Sequence, residues 1–129
     1  MGNEERHLAE AAGSVRTGLN HETVPPGKLN TTPHCHSAEE EIFVMLEGDG
    51  TLLLGDEEQS VRAGHVIARP PGTRKARAFR AGEAGLTMLS YGTREPNDIT
   101  YYPRSGVFAL RGIGVIGRRE EGLSPDDVW

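Results

Sequence analysis

The chain has 129 residues and a formal net charge of −5, which is room for one domain. No run of Lys and Arg is long enough for a continuous phosphate-tracking face, which excludes binding to nucleic acid through a basic surface, and no apolar stretch approaches a membrane span. The single cysteine, Cys35, excludes an intrachain disulfide framework, and the polar N-terminus MGNEERHLAEAAG lacks a charged-then-apolar leader pattern, so a soluble cytoplasmic protein is expected.

Residues 1–16 show no β pattern and read as a short helical or loose arm. From Thr17 the chain breaks into short apolar runs punctuated by turns. Gly18 to Val24 is stopped by Pro25-Pro26-Gly27, and His34-Cys35-His36 leads into Glu41 to Leu46, stopped by Glu47-Gly48-Asp49-Gly50. Thr51 to Leu54 meets Gly55-Asp56, a hairpin signal because both residues tolerate positive φ. Gln59 to Arg62, Val66 to Arg69, Arg77 to Arg80, Leu86 to Tyr91, Val107 to Leu110 and Gly114 to Gly117 follow. Short strands at regular spacing predict an all-β barrel or sandwich over residues 17–117, with an acidic C-terminal tail over 118–129.

The segment His34-Cys35-His36 carries the chemistry. Side chains alternate along a strand, so His34 and His36 share a face and Cys35 takes the other. Two imidazoles so placed can bite one metal ion, and a carboxylate on an adjoining strand completes a set suited to iron, manganese, nickel or zinc.

These residues resemble the first motif of the cupin superfamily, G-x5-H-x-H-x(3,4)-E-x6-G. His34, His36, Glu41 and Gly48 keep its spacing, and Gly27 stands one residue too far away. The second motif, G-x5-P-x-G-x2-H-x3-N, is half present as Gly64, Pro70 and Gly72. The resemblance implies a double-stranded β-helix (jelly-roll) barrel, with a divalent transition metal on His34, His36 and Glu41.

The histidine that usually supplies the fourth ligand is missing. Strict spacing puts Lys75 in its place, and a variant two residues longer puts Arg77 there. A unit charge about 5 Å from a divalent ion opposes it by roughly 7 kcal/mol at an effective dielectric near 20. Three outcomes stay open: a metal on His34, His36 and Glu41 alone, Arg77 paired with Glu41 around a metal-free anion pocket, or a structural relic.

The resemblance implies a metal-dependent enzyme (dioxygenase, isomerase, lyase or decarboxylase) acting on a small polar or anionic substrate. The alternative is a metal-free cupin that binds a small anion through Arg77. Phe43 and Met45 share parity with Glu41 and are expected to wall the pocket beside Arg77. A homodimer through the Ile42, Val44 and Leu46 row is expected, with a small molecule as the other partner.

Overall fold

The computed structural model describes residues 3–120, so Trp129 and most of the expected tail lie outside the described residues. These residues form strands β1 (Glu4–His7), β2 (Thr17–Val24), β3 (Cys35–His36), β4 (Glu41–Leu54) and β5 (Glu57–Arg62). They continue as β6 (Val66–Arg69), β7 (Arg77–Thr93), β8 (Ile99–Tyr102), β9 (Val107–Leu110) and β10 (Val115–Arg118), with a short α-helix, α1 (Leu8–Ala11), and a 3-10 turn at Arg111–Ile113. One sheet has the order β1-β2-β7-β4-β5 with β6 also on β4, and the other has the order β10-β9-β8-β3. Every pairing is antiparallel. The protein is all-β, as its turn punctuation predicts.

The first sheet holds the core. Val24, Phe43, Met45, Phe79, Leu86 and Met88 are almost completely buried on its inner face. Each such side chain stabilises the fold by about 1.5–3 kcal/mol through its removal from water. Ile42 and Leu46 take the opposite parity and remain exposed.

Two strands run through places where the sequence signals stops. The expected break at Glu47–Gly50 is absorbed inside β4, whose register against β7 shifts between Met45 and Glu47 and again between Gly48 and Gly50. Gly48 has φ +82°, and a Cβ there would run into the Gly85 carbonyl, so only glycine lets the bulged strand lie this close to β7. Arg77 to Arg80 and Leu86 to Tyr91 likewise fuse into one strand, β7.

The N-terminal residues hold α1 and, ahead of it, a strand that the sequence does not signal. Glu4–His7 pairs with Thr23–Asn20 of β2 as an edge strand. All four residues are exposed, so no apolar alternation marks them in the sequence. No helix among the described residues is long and apolar enough to cross a membrane.

Candidate functional site

The site forms where β3 meets the start of β7. His34 and Arg77 stand opposite each other and exchange both backbone hydrogen bonds, at 3.3 and 3.0 Å. That register aims the two side chains to the same side of the pair. Glu41, at the start of β4, reaches the same point. Arg77 Nε donates to Glu41 Oε1 at 3.0 Å, and its Nη2 donates to Oε2. The pair is two-pronged, with Arg77 only 5% exposed. The guanidinium also lies 4.6 Å over the Phe43 ring, which packs 4.9 Å from Phe79.

Both histidines are anchored through Nδ1. His34 Nδ1 lies 2.8 Å from the Thr32 carbonyl and His36 Nδ1 lies 2.7 Å from Asp98 Oδ2. Each acceptor can only accept, so each Nδ1 carries a proton. The rings meet edge-on with centroids 4.9 Å apart, and His36 Nε2 is 3.8 Å from Glu41 Oε1. Burial, reinforced by the Arg77 charge, lowers the His34 pKa to about 4. His34 is therefore neutral at pH 7.

Asp98 ties the site together from a distant part of the chain. It is 1% exposed, and its Oδ1 accepts the Ala38 and Glu39 N–H groups at 2.9 and 3.1 Å. Burial raises its pKa, but the hydrogen bonds from His36, Ala38 and Glu39 outweigh it and hold the carboxyl below the usual value. Glu39 accepts the Glu95 N–H at 3.2 Å and pairs with Arg111 Nη2 at 3.0 Å.

A family profile for the cupin domain matches residues 20–89, more than half of the chain. The protein belongs to the cupin family. No curated protein sequence matches the chain. Among solved structures, a sugar phosphate isomerase of the cupin superfamily from Silicibacter pomeroyi is 25% identical, with a TM-score of 0.84 over 97% of this chain and 82% of that one. A candidate sugar phosphate isomerase from Acidithiobacillus ferrooxidans is 26% identical, with a TM-score of 0.80 over 89% of this chain and 74% of that one. A predicted oxalate decarboxylase from Thermotoga maritima, 24% identical with a TM-score of 0.62 over 72% of this chain and 81% of that one, shows the shared fold alone.

Cupins of this kind often bind divalent metals, and the residues present decide whether this one suits an ion. The imidazole nitrogens suit it. The carboxylate does not, because both Glu41 oxygens are held by the Arg77 guanidinium. As its side chains stand, the set His34, His36 and Glu41 does not fit a divalent ion. A second group, His36, Glu39 and Asp98, could hold an ion, since its ligand atoms lie within 4.8 Å of one another. Its oxygens already accept hydrogen bonds from His36, Ala38, Glu39 and Glu95 or pair with Arg111.

The structure thus brings His34, His36, Glu41 and Arg77 of this cupin together. Phe43 and Met45, expected as pocket walls, are 1% exposed and sit in the core, with Phe43 as the floor under Arg77. Cys35 Sγ lies 3.9 Å from the Tyr101 carbonyl, and His65 is exposed in a turn. Tyr102, on β8, stacks against His34 with centroids 5.2 Å apart. Sequence spacing missed Asp98, Glu39 and Arg111, because their places depend on β8 lying beside β3. The cavity among His34, His36, Glu41, Arg69, Lys75 and Arg77 is about 10 Å³, the room of one water molecule.

Proposed function

We propose that this cupin binds a small phosphorylated sugar and interconverts its carbonyl and neighbouring hydroxyl by proton transfer. The observation that carries this reading is the two-pronged Arg77–Glu41 pair inside the His34, His36 and Glu41 constellation. It puts a fixed cation and a carboxylate, rather than a free ligand set, at the centre of the site. The two isomerase-like neighbours at 25% and 26% identity support the substrate class.

Such an isomerisation needs a base for a C–H proton and a cation for the enediolate that forms. An anionic ligand draws the Arg77 guanidinium off Glu41, which opens the closed cavity and frees the carboxylate. Glu41 then takes the proton from the carbon beside the carbonyl. The C–H electron pair becomes the new C=C bond, and the carbonyl oxygen becomes an enediolate oxygen facing Arg77. Neutral His34 offers Nε2 to the hydroxyl proton, which passes to the enediolate oxygen. Glu41 returns its proton to the adjoining carbon, so no atom or electron is gained or lost.

The test is proton NMR in D₂O with a panel of aldose and ketose phosphates, on tag-free protein assayed for metal. Exchange at the carbon beside the carbonyl is expected, falling at least about 100-fold in Glu41→Gln. No exchange with any member of the panel would overturn the reading. So would activity that a chelator abolishes and a divalent metal restores.

A further inference from the structure

We infer that the groove lined by Arg74, Lys75 and Arg104 is the subsite that takes the ligand's phosphate; this rests on the sugar phosphate reading above. The cavity at the Arg77–Glu41 pair, about 10 Å³, is too small for a phosphoryl group, and the Arg77 fork in it is already paired with Glu41. With the ligand's reacting carbonyl end taking the space at Arg77, its phosphate sits outside that cavity. Immediately beside it lies a cavity of about 450 Å³, lined by Pro33, Asp56, Arg74, Lys75, Pro103 and Arg104 among others. Lys75 belongs to both cavities, and Pro33 directly precedes His34, so one ligand can span the two.

The charge of this groove runs against that of the chain. The protein carries a net −5, yet three cations and one anion, Asp56, face this cavity. No hydrogen bond or ion pair engages the side chains of Arg74, Lys75 or Arg104 among the described residues, whereas Arg69 donates to Thr73, Arg77 to Glu41 and Arg111 to Glu39. Their donors are free for an anion, and two guanidinium forks suit the several oxygens of a phosphate better than the two of a carboxylate. The backbone adds an independent sign. Arg74, at φ +62°, is the one non-glycine residue at positive φ among the described residues. That conformation costs free energy, and such costs persist where a side chain must point in a set direction.

The probe is inorganic phosphate, titrated into the full chain and followed by backbone amide NMR, with Arg74→Gln/Arg104→Gln as the variant. Neither residue lines the small cavity, and both are exposed, so the fold is expected to hold. Shifts centred on residues 74, 75 and 104 are expected, with affinity falling about tenfold or more in the variant and rising in Asp56→Asn. Phosphate affinity unchanged in the double variant, or shifts centred on His34, His36 and Arg77, would overturn the subsite. A sugar phosphate KM that the double variant leaves unaltered would do the same, while leaving the proton-transfer reading intact. Phosphate bound at the groove without proton exchange on any sugar phosphate would support the subsite and sink only the isomerase chemistry.

Discussion

Asp98 Oδ2 lies 2.7 Å from His36 Nδ1, although the two residues are 62 positions apart. The same carboxylate holds the Ala38 and Glu39 N–H groups with its other oxygen, so one buried side chain sets both the ring and the loop that follows it. In Asp98→Asn those two N–H groups retain the amide oxygen, which leaves the NH₂ facing His36. The ring must then accept at Nδ1 and carry its proton on Nε2, toward Glu41. A loss of about 1–3 kcal/mol in urea unfolding is expected, with a switch of the His36 tautomer in long-range nitrogen NMR. An unchanged tautomer would show that Asp98 does not orient the ring.

Arg77 and Glu41 form a pair with little access to water. Removing one partner leaves the other charge stranded, whereas removing both need cost little. Arg77→Met is expected to destabilise by about 3 kcal/mol, and Arg77→Met/Glu41→Gln to recover most of that. A double-mutant cycle in urea measures the coupling. Additive effects would mean that the pair is not maintained in solution.

Arg77→His removes the cation and adds a third imidazole opposite His34. Glu41 is released at the same time. Affinity for Zn²⁺ or Ni²⁺, read by calorimetry and elemental analysis, is expected to rise by orders of magnitude. Unchanged affinity would show that the guanidinium is not what occupies the ligand position.

The lowered pKa of His34 makes stability depend on pH. Its folded value is about 4 against an ordinary 6.5, so between these limits the unfolded chain binds the extra proton. Unfolding free energy therefore rises with pH across that window and is level above it. The loss on acidification amounts to about 3 kcal/mol by pH 4, at 1.36 kcal/mol per unit. Asp98 acts in the same direction lower down, because its depressed pKa contributes stability that is lost only as pH falls below the usual carboxylate range. Urea midpoints from pH 4 to 8 for the wild type and His34→Gln check this, the slope being expected to flatten in the variant.

Much of the molecule is legible from local pattern. Alternation by two placed His34 and His36 on one face, marked Phe43 and Met45 as inward, and left Ile42 and Leu46 outside, because parity along an extended chain needs no tertiary information. Punctuation misled at Gly48 and Gly50, which signal a turn but serve a bulge within β4. Which of the two depends on whether β7 lies alongside, and no local signal carries that. The missing motif histidine was equally visible, and with it two candidate cations, Lys75 and Arg77.

Strand pairing decided the rest. Only the bridge between His34 and Arg77 selects the arginine over Lys75, which stays exposed at the cavity edge. Only the pairing of Cys35 and His36 with β8 brings Asp98 under the His36 ring. Residue spacing determines which way a side chain points from its own strand. What it points at depends on contacts between segments tens of residues apart, whose register is set by the fit of whole faces.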